Sequence, residues 1–160
     1  MTNHSTQNVG NAGEYYIAAR LSAENFITTI TLGRAQRYDL LAVNPAQQPL
    51  KLSVKTRLHD DTESFLLHAN DENEPADDLF YCFVRLNNFE SEPDFWIVPS
   101  KRVVEVISNL HRSYIENHND NTMRAFFTCS PDKYASALPS NWIDEVNGYY
   151  KNIEQLKKLF

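Results

Sequence analysis

Tyr38-Asp39-Leu40-Leu41-Ala42-Val43, followed six residues later by Leu50-Lys51-Leu52-Ser53-Val54-Lys55-Thr56-Arg57, is the stretch on which the fold turns. In its second half Leu50, Leu52, Val54 and Thr56 alternate with Lys51, Ser53, Lys55 and Arg57, the period-two pattern of a strand with one buried face. The link Asn44-Pro45-Ala46-Gln47-Gln48-Pro49 is rich in turn residues, so the two halves predict a β-hairpin. Pairing Val43 with Lys51 sets Asp39 opposite Lys55 and diagonal to Ser53, all on one side of the sheet. A carboxylate inside an apolar strand needs a partner, and Lys55 or a metal ion would supply one for Asp39. The same alternation is also what any half-exposed strand shows, with its charged residues simply solvated.

Working outward, Tyr15, Ala18, Ala19, Ser22 and Ala23 recur at helical spacing and predict a helix from Gly10–Gly13 to about Asn25. Glu14 shares a face with Ile17, Ala18 and Leu21, so it reaches Asp39 if that helix packs on the hairpin; otherwise it is a helix-start carboxylate favoured by the macrodipole. Further strands are predicted at Phe26–Leu32, Phe80–Leu86 and Phe95–Val98, with Arg124–Cys129 a strand or extended piece. Ser100 is placed to cap a helix carrying Val103, Val104, Ile107, Leu110 and Tyr114. After Pro139, the apolar stripe Ile143, Val146, Tyr150, Ile153, Leu156 and Phe160 predicts one closing helix, a lid or brace. Between Arg57 and Phe80 lie only the short apolar piece Phe65-Leu66-Leu67 and a polar loop or helical turn over Asp71–Pro75. That region has no long crossover helix of the kind a parallel strand connection ordinarily uses. The pattern as a whole predicts an α/β fold, a central mixed sheet flanked by helices. A single domain spans residues 1–160, with its core at about 10–100 and a C-terminal helical extension at about 100–160.

With 160 residues, 15 bases, 21 acids and a net charge of -6, the chain is not an indiscriminately basic nucleic-acid binder. The charge is nonetheless segregated. Residues 20–57 carry six bases and two acids, whereas residues 58–95 carry eleven acids and one base, Arg85. No run approaches the ~18–20 apolar residues of a membrane helix, and Met1–Thr6 lacks the charged and apolar regions of a signal peptide, so a cytoplasmic protein with no membrane partner is expected. Cys82 and Cys129 each sit in apolar runs and read as free, reduced thiols. There is no Cys-x-x-Cys, His-Glu-x-x-His or P-loop pattern. Trp96, Trp142, Tyr149 and Tyr150 lie on apolar stripes and read as core rather than as stacking platforms for bases. His111 and His118, at i and i+7, read as surface residues.

The order helix Gly13-Glu14, strand Tyr38-Asp39-Leu40-Leu41, strand Ser53-Val54-Lys55-Thr56 resembles the PD-(D/E)XK nuclease superfamily, with its restriction-endonuclease-like fold. The likeness is close over about residues 10–57 and looser to about 100. It implies a nuclease in which Glu14, Asp39 and the Val54 backbone carbonyl hold Mg2+ or Mn2+ and Lys55 positions or activates the attacking water. Ser53 stands where the family usually has Glu or Asp; it is neutral and short, and departs from the pattern. Arg34, Arg37, Lys51 and Arg57 flank this site and would grip a nucleic-acid backbone, or else form a solvated basic surface. The resemblance implies DNA as substrate, RNA less so, and a homodimer that brings two sites to two strands. The alternative is a catalytically inactive nuclease-like module that binds nucleic acid or a protein partner. A third reading has the acidic 58–95 stretch acting as a decoy toward a basic partner.

Overall fold

The computed structural model describes residues 4–31, 38–59, 64–73, 75–115, 123–129 and 132–158. The chain builds α1 (Thr6–Ala23), β1 (Ile27–Ile30), β2 (Leu40–Val43), β3 (Pro49–Arg57), β4 (Ser64–His68), β5 (Leu79–Arg85), β6 (Asp94–Pro99), α2 (Ser100–Ile115), β7 (Met123–Phe127), α3 (Trp142–Tyr149) and α4 (Glu154–Lys157). Five strands form one sheet in the order β1-β2-β3-β5-β6, and β4 pairs with β7 in a separate two-stranded sheet. Only β3 and β5 run parallel; the other neighbours are antiparallel, so the central sheet is mixed, as expected. Among the described residues no helix is long and apolar enough to cross a membrane.

The period-two pattern of β3 sorts the molecule into two cores. Leu50 and Leu52 join Leu40, Ala42, Phe80, Cys82, Val84, Phe95 and Ile97 beneath Ile17 and Leu21 of α1 and Leu156 of α4. The other face carries Tyr81, Phe83, Trp96 and Val98, covered by Val103, Ile107 and Leu110 of α2, Trp142 and Val146 of α3, and Phe65, Leu67 and Phe126 of the small sheet. Phe83 stacks on Phe126 at 4.3 Å between ring centroids, nearly parallel. Cys82 is a buried free thiol, and Trp96 and Trp142 are buried, as their apolar surroundings predict.

The hairpin register is tighter than expected by two residues: Val43 pairs with Pro49 and Leu40 with Leu52. The turn residues cause this. The Asn44 side-chain oxygen accepts from Gln48 N–H at 2.9 Å, Gln47 takes a left-handed φ of 66°, and Asn44 Nδ2 donates to the Leu156 carbonyl at 3.0 Å. A shift of two leaves Leu50, Leu52 and Val54 on their predicted face, because the side-chain period is two; Asp39, just before β2, lies outside the ladder and is not placed by it. The helix α1 starts earlier than the glycines suggested, because Ser5 caps it by accepting from Asn8 N–H at 3.2 Å. It stops where Asn25 turns left-handed at φ 65°.

Three further expectations are corrected. The parallel link from β3 to β5 has a single helical turn, the 3-10 turn Ala69–Glu72, but the apolar piece before it is a strand, β4, which finds its partner in β7. Ser100 opens α2 but does not cap it with its side chain. Its hydroxyl instead clips this crossover in place, donating to the Ala76 carbonyl at 2.8 Å and accepting from Ala76 N–H at 3.0 Å. The closing stripe is two helices, since Trp142 and Val146 belong to one core and Ile153 and Leu156 to the other. The chain must therefore pass around the β6 edge. Tyr150 bridges to Trp96, Lys151 N–H bonds the Phe95 carbonyl at 2.8 Å, and Lys151 takes a left-handed φ of 49°. Ile143, on the predicted stripe, is left exposed.

Candidate functional site

Gly13 sets the site. A Cβ added there would lie 2.0 Å from Thr56 Oγ1, so only glycine lets α1 lie this close to the end of β3. The next residue, Glu14, is thereby brought to the edge of the sheet where β2 begins. Its carboxyl is held above the usual carboxylate range, first by burial and then by the charge of Asp39. Thus the helix does pack on β3, and Glu14 lies within electrostatic reach of Asp39.

Asp39 lies just before β2. Its backbone N–H bonds the Leu52 carbonyl at 2.8 Å, and its Oδ2 accepts from Val54 N–H at 2.6 Å. The Leu40–Leu52 pair is the last of the ladder, and beyond it a carboxylate takes up the strand-edge donor that a neighbouring carbonyl would otherwise accept. A residue's N–H and C=O leave a strand on the same side. The Val54 carbonyl therefore points to the edge that Asp39 occupies. Burial, with Asp39's charge added, pushes the Cys82 thiol strongly upward.

Lys55 and Ser53 share the opposite face of β3, but Lys55 does not pair with Asp39. Its ammonium lies 3.1 Å from Asp71 Oδ1, in the 3-10 turn of the crossover, and 5.8 Å from the centre of the Tyr81 ring. Asp71 is held from two other directions: Tyr81 OH donates to its Oδ1 at 3.1 Å and His68 N–H to its Oδ2 at 2.8 Å. Ser53 is buried, directly across the ladder from Tyr81.

Of the four bases expected to grip a backbone, Lys51 and Arg57 are among the described residues. Lys51 pairs with Asp78 at 2.9 Å near the start of β3, and that hydrogen bond and the Asp78 charge raise its pKa. Arg57 lies over the Phe65 ring at 5.9 Å, and burial lowers its pKa. Arg34 and Arg37 lie outside the described residues, as does His118. Asp71 and Tyr81 were missed in the sequence. Tyr81 did carry a signal, being a phenol on the same strand face as Phe83, where its hydroxyl needs a partner. Nothing in the acidic stretch singled out Asp71.

A divalent metal is the cofactor to weigh. Among the described residues no group of three or more His, Cys, Asp or Glu is gathered for one. Asp39 is fixed beside Val54, and Glu14 feels its charge. Such a pair fits a hard cation that takes oxygen ligands, needs one or two carboxylates and keeps several waters.

No family model matches the sequence, and no curated protein matches it. Among solved structures, the fold is similar to "The structure of a bacterial homing endonuclease: I-Ssp6803I", with a TM-score of 0.57 at 14% identity, over 97% of this chain and 93% of that one. The α/β architecture of this chain, a mixed sheet flanked by helices, is thus similar to a nuclease fold across nearly its whole length.

Proposed function

We propose that this chain is a metal-dependent nuclease of the PD-(D/E)XK type that hydrolyses phosphodiester bonds in DNA in the cytoplasm. The observation that carries the reading is the carboxylate of Asp39 fixed on Val54 N–H at 2.6 Å beside β3, within electrostatic reach of Glu14. The likeness to a homing endonuclease supports it.

In this reading Glu14 and Asp39 give carboxylate oxygens, and Val54 its carbonyl, to one Mg2+ or Mn2+. Bound there, the ion supplies Lewis acidity toward a phosphoryl oxygen and lowers the pKa of a bound water. Lys55 adds positive charge beside the phosphorus, where negative charge builds on the oxygens during attack, and helps orient the water. Ser53 supports through a water. Arg34, Arg37, Lys51 and Arg57 grip the backbone, Lys51 by opening its half-exposed pair with Asp78. Two copies as a homodimer would address two strands, and RNA is the lesser substrate.

The second reading, a catalytically silent module that binds nucleic acid or a protein, is favoured by the neutral Ser53 and by the engagement of Lys55 with Asp71. Cleavage of plasmid DNA with Mg2+ or Mn2+ separates the two. The nuclease reading expects nicking that a chelator stops and that falls by about 10²-fold or more in Asp39→Ala and Lys55→Ala. It also expects Ser53→Glu to tighten metal binding. Cuts that persist in both alanine variants would sink it, and DNA binding without cuts would favour the silent module.

A further inference from the structure

Lys55 is held in a way that its own strand does not account for. A lysine has four rotatable bonds, and its ammonium is a point charge that settles only where acceptors fix it. Here the acceptor comes from outside the hairpin. The crossover turn presents Asp71, whose side chain is only 15% exposed, at 3.1 Å from Lys55 Nζ. Asp71 is itself immobilised: Oδ2 accepts from His68 N–H at 2.8 Å, and Oδ1 accepts from Tyr81 OH at 3.1 Å. Tyr81 stands across the β3–β5 ladder from Ser53, and its ring lies under the Lys55 ammonium. A charge-assisted contact to a carboxylate with two other donors is short and directional. Its neighbour Glu72 is gripped by Arg124 of β7, so the turn bearing Asp71 is tied to the small sheet.

We propose that Asp71 is the positioning residue for Lys55: the crossover turn, through Asp71 and Tyr81, gives the ammonium a fixed carboxylate partner where the neighbouring position 53 is a neutral Ser. The proposal rests on the nuclease reading for its consequence in catalysis, but not for its structural content. Asp71 touches neither metal nor phosphate and acts through Lys55.

Three arms test it on the full chain. In Asp71→Asn, kcat for DNA cleavage falls about 10- to 100-fold, as misplacement of a reacting group by an ångström or so would cause. DNA affinity, measured with Ca2+ in place of Mg2+, stays the same or tightens, because a negative charge near the phosphates has gone. A merely structural residue would weaken both. In a Lys55→Ala background Asp71→Asn costs nothing more in kcat, the non-additivity of residues acting as a unit. Tyr81→Phe keeps the ring, removes the hydroxyl and gives a smaller loss than Asp71→Asn. Independently of cleavage, 15N NMR of the Lys55 ammonium shows slowed proton exchange in the wild type that is lost in Asp71→Asn. Faster cleavage by Asp71→Asn, or full additivity with Lys55→Ala, overturns the proposal. If the wild type does not cut at all, the nuclease reading fails, and the NMR signal alone decides whether Asp71 orders Lys55; its absence in the wild type overturns the proposal as well.

Discussion

Two carboxylates, Glu14 at the α1 edge and Glu145 in α3, are perturbed in opposite directions, and the contrast separates a site from a brace. Glu14 is raised by burial and by Asp39, a like charge. Glu145 is lowered chiefly by hydrogen bonds from Arg102, whose guanidinium forks onto it at 2.6 and 2.8 Å between α2 and α3. The brace is electrically complete: bidentate, with both side chains largely covered. The Glu14–Asp39 edge is not, because Glu14 is partly desolvated and faces a like charge, an arrangement that in the proposed reading a cation would relieve. A fold keeps the first arrangement for stability, while the second costs stability and is understandable as a binding site.

The contrast can be broken or sharpened by mutation. The largest effect is expected far from the edge, at Phe126, which is fully buried and stacked on Phe83. Phe126→Ala should cost about 3–5 kcal/mol and lower Tm on the order of 10 °C, by calorimetry, while metal binding by the folded fraction is kept. Loss of metal affinity in step with stability would blur the distinction between site and scaffold.

Next is Gly13→Ala, which drives a Cβ into the short Thr56 side chain and should cost about 1–3 kcal/mol in denaturant unfolding. It should also weaken metal binding by pushing Glu14 away from Asp39. Gly10→Ala is its control: nothing lies within 4 Å of that Cβ, so it should be neutral or stabilise by up to ~1 kcal/mol.

The brace itself has an effect of similar size to that of Gly13→Ala. Arg102→Met should cost about 1–3 kcal/mol at neutral pH, the scale of a hydrogen-bonded charged group. Glu145 has its folded pKa below the ordinary 4.5, so its contribution is complete above that value and is lost as pH falls through the lowered one. Unfolding between pH 5 and 2 should therefore be steeper for the wild type than for Arg102→Met. Equal slopes would show that the pair does not govern acid stability.

The legible part of the molecule was the part built from local alternation. Leu50, Leu52 and Val54 announced the buried face of β3, and Glu14, Asp39 and Lys55 could be placed on their elements before any partner was known. The register was not legible, because it depends on Gln47 adopting a left-handed conformation and on Asn44 anchoring to the distant Leu156. Nor was β4: Phe65-Leu66-Leu67 is too short to declare a strand, and Phe126, its partner, lies far along the chain. The single predicted stripe was misleading for a topological reason, since Val146 buries on one face of the sheet and Ile153 and Leu156 on the other, and the helix has to break at Tyr150 to serve both. Lys55 was found but its partner was not. Eleven acids follow it in the next segment, and only the crossover path, closed by the β4–β7 pairing, selects Asp71.

The most direct test of the account is anomalous diffraction from crystals of the protein soaked in Mn2+. A single peak within about 2.5 Å of the Glu14 and Asp39 carboxylates and the Val54 carbonyl, absent in Asp39→Asn, is the predicted result. A wild-type map with no peak at that edge, or with manganese bound only elsewhere, would contradict it.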